Sequence, residues 1–287
     1  MTENVFSPNY GTPDGEKSMP PIGTPKSEIQ TNGLPPIVEL KDICQSYDNG
    51  ELVFDKLNLS IPDIPDVGQF ITIMGPSGCG KSTILRYIAN LQQPTSGTIL
   101  FRGHQRQEKQ SVPMVFQQYT NLEWKTVLKN VMLPLELQNI PKAEAQEKAI
   151  EILKVVGLQD HAKKWAKYPI LSGGQLQRVA IARGLVMNPD IILMDEPFGA
   201  LDIKIRQEMQ IFLRQIFEAQ KDMTIILVTH SVSEAVFLSD QIIVLGGKPA
   251  GISEIIDVNL GSVREESIIG TSLFREYEVK VRNALGL

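Results

Sequence analysis

Eight consecutive residues, Gly75-Pro76-Ser77-Gly78-Cys79-Gly80-Lys81-Ser82, match the phosphate-loop pattern G-x-x-x-x-G-K-[ST] at every fixed position. The pattern works only between a strand and a helix, and both flanks comply. Phe70-Ile71-Thr72-Ile73-Met74 is an apolar run with the length of a buried strand, and Ile84, Leu85, Ile88 and Leu91 recur at helical spacing after the loop. The glycines let the backbone curl so that successive N–H groups and the positive end of the helix face an anion. Lys81 adds a full charge for the outer phosphates, and the Ser82 hydroxyl, followed by Thr83, suits Mg²⁺. An α/β fold that binds a nucleotide phosphate is the expectation.

Farther along, Ile191-Ile192-Leu193-Met194-Asp195-Glu196 is a continuous apolar strand ending in two carboxylates, the form of a central parallel strand that opens onto a site. Asp195 is placed to hold Mg²⁺ through water, and Glu196 to orient and polarise an attacking water. Thr224 to Thr229 is another buried strand and ends at His230, whose imidazole would donate toward a γ-phosphate. Gln117, at the end of the strand Val112 to Phe116, is in reach of Mg²⁺ and a water molecule. Tyr47 stands before the turn signal Asp48-Asn49-Gly50, where its ring either stacks on a nucleotide base or packs in the sheet. Leu171-Ser172-Gly173-Gly174-Gln175 opens a helical stretch with Ser172 as its cap, a second helix entrance that admits a phosphate to backbone N–H groups. His161, near several lysines and without metal-ligand companions, and His104 both read as solvated surface residues.

Residues 1–36 carry seven of the 18 prolines among polar residues and read as a disordered extension. Order is expected from Ile37, with antiparallel strands over Ile37 to Leu40 and Leu52 to Ile61. From Lys142 the apolar residues Ala149, Ile152, Leu153 and Val156 share a helical face, within a helical insertion of about residues 120–174. Residues 259–287 are too few to bury a core of their own and read as a helical tail. A net charge of −5 and a pI near 5.4 argue against a nucleic-acid partner. With Cys44 and Cys79 the only cysteines, no disulfide framework is expected and a reducing compartment is the natural setting. The sequence shows no signal peptide and no run of eighteen apolar residues, so any membrane role is expected to use another chain.

The order of these motifs resembles the ATP-binding subunits of ABC transporters, over most of residues 37–258: Tyr47, the loop 75–82, Gln117, LSGGQ at 171–175, Asp195-Glu196, Ala200-Leu201-Asp202 and His230. The resemblance implies a P-loop NTPase of ABC type, with a parallel core sheet, an antiparallel β subdomain and an inserted helical subdomain. It implies ATP and Mg²⁺, with ATP held by Tyr47, Gly75, Pro76, Ser77, Gly78, Cys79, Gly80, Lys81, Ser82, Thr83 and Gln117. The metal would be held by Ser82, Gln117 and Asp195, and catalysis would rest on Lys81, Glu196 and His230. Two subunits, identical or homologous, would pair head to tail so that Ser172, Gly173, Gly174 and Gln175 of one close over ATP held by the other, with Asp202 at the contact. Further implied partners are integral membrane permease subunits and an extracytoplasmic solute-binding protein, which places the chain peripherally on the cytoplasmic face of the membrane.

The run Asp195 to Asp202 and Trp124-Lys125-Thr126-Val127 are similar to the ATPases of nitrate, sulfonate, taurine and bicarbonate importers, which implies a small oxyanion as solute. Two positions depart from that group: Glu123 replaces a Pro before the Trp, and only Ile170 separates Pro169 from the signature. The alternative is a soluble ABC-type ATPase of DNA repair or translation. Those carry paired cassettes, a long coiled-coil insertion or a zinc motif, and this chain has one cassette, no such heptad run and no Cys cluster.

Overall fold

The computed structural model describes residues 33–47, 50–105, 112–118, 120–220, 222–261 and 263–287. Most of the proline-rich extension, and Asp48-Asn49 of the turn signal, lie outside the described residues. In chain order the strands are β1 (Val38–Ser46), β2 (Leu52–Ile61), β3 (Gln69–Met74), β4 (Ser96–Phe101), β5 (His104–Gln105), β6 (Met114–Val115), β7 (Ile191–Asp195), β8 (Thr224–Val228), β9 (Gln241–Gly246) and β10 (Gly251–Asp257). The helices are α1 (Lys81–Ile88), α2 (Val127–Leu137), α3 (Lys142–Val155), α4 (Gly173–Leu185), α5 (Ile203–Ala219), α6 (Val232–Leu238) and α7 (Ser272–Leu285).

Two sheets form. One is antiparallel in the order β2-β1-β4-β5, with Leu40 opposite Leu59 and Ile99. The other has the order β10-β9-β3-β8-β7-β6, in which β9, β3, β8, β7 and β6 run parallel and β10 is an antiparallel edge. Side chains alternate across a strand, so a sheet covered on both faces needs apolar residues at every position. The inner strands supply them: Leu193, Ile226 and Ile243 join a cluster with Ile43, Phe54, Ile84 and Leu85. Their neighbours Ile192, Ile225 and Ile242 join a second cluster with residues of α2 through α7. The antiparallel sheet and α1 thus cover one face, and the remaining helices cover the other.

Within the helical insertion of about residues 120–174, α2 precedes the helical face read from Lys142. Thr126 accepts a bond from the Lys129 N–H and caps α2, which buries Val127, Val131, Met132 and Leu135 although Pro134 interrupts its interior. The C-terminal segment carries α7, which docks on the body of the fold. Phe274 and Val281 of α7 are buried in the large cluster, and the Asn259 N–H donates to the Tyr277 hydroxyl at 3.0 Å.

Before α7, Arg264 enters the core and closes the C-terminus of α6, where helical carbonyls lack partners. Its Nη1 donates to the carbonyls of Val236 (3.0 Å) and Phe237 (2.9 Å), while Nη1 of Arg214 donates to Leu238 (2.7 Å). Asp240 accepts from both guanidinium groups, at 3.4 Å from Arg214 and 3.5 Å from Arg264. Burial, reinforced by Arg214, pulls the Arg264 guanidinium down to about 10 despite Asp240 and Glu218.

Candidate functional site

The loop 75–82 leaves β3 at its C-terminal end and enters α1, as its flanking residues predict. Gly80 is the N-cap at φ 93°, and a Cβ there would lie 2.3 Å from Cζ of Phe54, so only glycine satisfies both the backbone and the packing. Lys81 arches back over the loop, its Nζ donating to the carbonyls of Gly75 (2.9 Å) and Pro76 (2.8 Å). The Ser82 hydroxyl donates to Oδ1 of Asp195 at 3.0 Å, which ties the loop on β3 across β8 to the end of β7. Burial pushes the Asp195 carboxyl above its ordinary range; the Ser82 bond opposes this and Glu196 adds to it. A hydroxyl and a carboxylate at one point form the hard-oxygen pair that suits Mg²⁺. Among the described residues no group of three or more His, Cys, Asp or Glu gathers, so the remaining oxygens for such an ion would come from phosphate and water.

Strand β7 stops at Asp195, one residue short of the sequence-based run. Glu196 has φ 46°, a left-handed conformation that costs a non-glycine residue about 1–3 kcal/mol, and its N–H donates to Val228 at 2.9 Å. The turn aims its carboxylate at the end of β8, where Oε2 lies 3.2 Å from Nδ1 of His230. This pair was expected from sequence only as two separate site residues. Val115 of β6 pairs with Met194, so the chain leading to Gln117 leaves the sheet beside the end of β7. A Cβ on Gly199 would be 3.2 Å from the Gln117 Nε2, which puts the amide against the turn after Glu196. Among the described residues no hydrogen bond joins Gln117 to Ser82 or Asp195. The Tyr47 hydroxyl lies 3.4 Å from Oγ1 of Thr83, so its half-exposed ring stands beside the first turn of α1.

The signature segment forms a separate assembly. Ser172 and Gln175 make a reciprocal capping box: Oγ accepts from the Gln175 N–H at 3.3 Å, and Oε1 of Gln175 accepts from the Ser172 N–H at 2.9 Å. Gly173 and Gly174 begin α4, and a Cβ on Gly174 would stand 2.8 Å from Cγ2 of Ile205, so α4 lies directly on α5. No hydrogen bond or ion pair among the described residues joins 172–175 to 75–82. Asp202 is exposed and caps α5 through Ile205 N–H at 3.0 Å, followed by Ile203, which is 83% exposed. The segment after Gln117 is held to α4 by Asn121 Nδ2, which donates to Leu176 at 2.8 Å, and by Arg183 Nη1, which donates to Thr120 at 2.8 Å.

Two residues change standing. His161 is not a solvated surface residue: its Nε2 lies 3.2 Å from Nε2 of Gln175 and its Nδ1 is buried. The lysines around it in sequence conceal a contact made only in the fold. Glu234, which the motifs do not single out, is buried on α6 behind His230 and accepts from Gln210 Nε2 at 3.0 Å. Burial pushes its carboxyl up, against hydrogen bonds from Thr229 and Gln210. A lone acid among Val232, Ala235, Val236 and Phe237 is the signal that marks it. His104 is exposed, as expected.

Trp124, Trp165, Tyr168 and Ile170 are each exposed on the helical insertion, where Thr126 bridges to Trp165 and the Ala166 N–H donates to Lys125 at 3.1 Å. No helix among the described residues is long and apolar enough to cross a membrane.

A family profile described as ABC transporter matches residues 55–199. An uncharacterized ABC transporter ATP-binding protein of Methanocaldococcus jannaschii is 44% identical over 251 residues, 87% of this chain and 90% of that protein. The aliphatic sulfonates import ATP-binding protein SsuB 1 of Mesorhizobium japonicum is 44% identical over 196 residues, 68% of this chain and 70% of its own. The spermidine/putrescine import ATP-binding protein PotA of Aggregatibacter actinomycetemcomitans is 41% identical over 214 residues, 73% of this chain but only 55% of that longer protein. Among solved structures, a dimeric post-hydrolysis ATP-binding cassette bound to ADP and Pi superposes with a TM-score of 0.63 at 34% identity, over 77% of this chain and 98% of the other. The chain therefore belongs to the ABC transporter family, as an ATP-binding subunit that hydrolyses ATP.

Proposed function

We propose that this chain energises a membrane importer by binding and hydrolysing ATP between two cassettes. The observation that carries the reading is the pairing at the strand ends: Ser82 with Asp195 at 3.0 Å and Glu196 with His230 at 3.2 Å, with the signature cap built apart from them. Lys81 and the loop amides from Gly75 to Ser82, with Thr83, would hold the phosphates, and the Tyr47 ring would lie on the base. Ser82 and Asp195, with Gln117, would hold Mg²⁺, which supplies charge neutralisation at the β- and γ-oxygens. Glu196 would orient and deprotonate the attacking water, and His230, whose Nδ1 lies beside Glu196, would donate from Nε2 to the γ-phosphate.

The free N–H groups at the start of α4 would act on ATP held by a second copy or a homologous subunit, with Asp202 and the exposed Ile203 near the contact. A closed dimer would then last only while the γ-phosphate is attached. The exposed Trp124 and Tyr168 would serve docking to a permease subunit, which would hold the chain on the cytoplasmic face of the membrane, with a solute-binding protein outside.

For the solute we propose a small oxyanion, supported by the sequence 195–202, by Trp124-Lys125-Thr126-Val127 and by likeness to the sulfonate importer ATPase. Polyamine importer ATPases match at similar identity, so uptake decides. Cells lacking this chain are expected to lose uptake of labelled sulfonate, taurine, nitrate or bicarbonate; loss of spermidine uptake instead would overturn the oxyanion assignment. For the chemistry, Glu196→Gln is expected to bind MgATP, lose turnover by about 100-fold or more and accumulate as an ATP-bound dimer on size exclusion. Near-normal ATPase activity would remove Glu196 from its role.

A further inference from the structure

The geometry points to His161 as a positioning residue: its neutral imidazole holds the Gln175 amide in the one orientation that keeps the signature capping box closed, so protonation of His161 opens the box. The inference rests on the reading that the start of α4 acts on ATP bound by a second subunit.

The hydrogen-bond partners assign every atom involved. Gln175 has one acceptor oxygen, and the Ser172 N–H occupies it at 2.9 Å. The amide must therefore turn its NH₂ to His161, whose Nε2 stands 3.2 Å away. An NH₂ group only donates, so Nε2 must offer a lone pair and the ring proton sits on Nδ1. That Nδ1 is buried and has no partner among the described residues, so the bond to Gln175 is the ring's one polar contact there.

A second proton on Nε2 would set N–H against N–H. The amide can restore a bond to the imidazolium only by presenting its oxygen, and the Ser172 N–H then faces an NH₂ group and loses its acceptor. His161 sits on a short 3-10 turn over Gln159–His161, placed by bonds from Leu128 N–H to Ala162 (3.0 Å) and from His161 N–H to Leu158 (2.9 Å).

The charged groups on the elements around the imidazole are Asp160, Lys163 and Lys164 of its own segment, Lys154 of α3, Lys125 and Lys129 around the start of α2, and Arg178 of α4. Arg178 is engaged with the Val156 carbonyl at 3.1 Å and the Phe212 ring at 4.1 Å. Among the described residues none of these forms an ion pair with His161. The switch thus lies in donor and acceptor matching at one amide.

The test compares the full chain with His161→Gln, whose amide oxygen reaches about as far as Nε2 and does not titrate, and with His161→Leu, which offers no acceptor. Steady-state ATPase activity is followed as a function of pH, with binding of a fluorescent ATP analogue and circular dichroism as controls for the loop and the fold. At neutral pH, His161→Leu is expected to lose kcat about fivefold with nucleotide binding unchanged, as for loss of a helix cap, while His161→Gln stays within about twofold of wild type. Toward acid pH, wild type is expected to lose turnover more steeply than His161→Gln. Equal pH profiles for wild type and His161→Gln, or a neutral-pH kcat as low for Gln as for Leu, would overturn the proposal. Ser172→Arg separates this from the underlying reading: if it keeps full turnover, the signature does not act on ATP at all. If it abolishes turnover while His161→Leu matches wild type, only the role of His161 falls.

Discussion

Gly174→Ala tests how closely the signature helix must sit on its neighbour. The added Cβ would stand 2.8 Å from Cγ2 of Ile205 and 3.9 Å from Cγ and Sδ of Met209. Carbon atoms prefer about 3.5–4.0 Å, so α4 and α5 must separate by close to 1 Å, and Ile205, branched at Cβ, has little freedom to turn away. Overpacking of this kind costs about 1–3 kcal/mol, and the better helix propensity of alanine returns about 1 kcal/mol. The net loss of stability is thus expected at about 0–2 kcal/mol, read from urea midpoints. If the start of α4 acts on ATP as proposed, turnover should suffer far more, because a displacement near 1 Å of groups positioned at a reacting centre costs about 100-fold. Binding of a fluorescent ATP analogue to the loop 75–82 should not change, since no hydrogen bond or ion pair among the described residues joins it to the signature. A variant that keeps turnover within about twofold of wild type would refute the claim that the close approach positions the signature.

Glu234→Gln should flatten the dependence of stability on pH. Because burial raises the folded-state value above the ordinary 4.5, the folded chain binds the extra proton, and the stability it contributes is full below 4.5 and lost as pH rises through the folded-state value. Urea midpoints that fall with pH as steeply in the variant as in wild type would exclude Glu234 as the source. Arg264→Met should cost about 3–5 kcal/mol in chemical denaturation, because it strands the carbonyls of Val236 and Phe237 and removes a partner of the buried Asp240. Arg102→Ala, which breaks bonds to Asp63 and Asp190 at 2.7 Å on the surface, should cost less than about 1 kcal/mol by the same measurement.

What the sequence made legible is what depends on short runs. The apolar stretches 70–74, 191–194 and 224–228 read as strands buried on both faces, and the glycine spacing at 75–80 reads as a phosphate loop beside them. The site residues at the ends of those strands followed. The relations between them did not, because they are made by sheet order and by distant segments. Neither the left-handed turn at Glu196 nor its bond to His230 is visible without β8 lying beside β7. His161 meets Gln175 across 14 positions of irregular chain, and no periodicity reports that. Helix α2 was obscured by Pro134, whose missing N–H is a local cost that burial of Val131 and Leu135 outweighs.

The clasp of Arg264 on α6 also bears on how the protein is made. The ribosome delivers His230 and α6 before Arg264, so the carbonyls of Val236 and Phe237 can be held only by water until the tail follows. The loop that grips phosphate is therefore complete long before the backbone supporting His230 has its last support. A nascent chain stalled short of Arg264 would carry the complete loop 75–82 while the C-terminal carbonyls of α6 still lacked their protein donors.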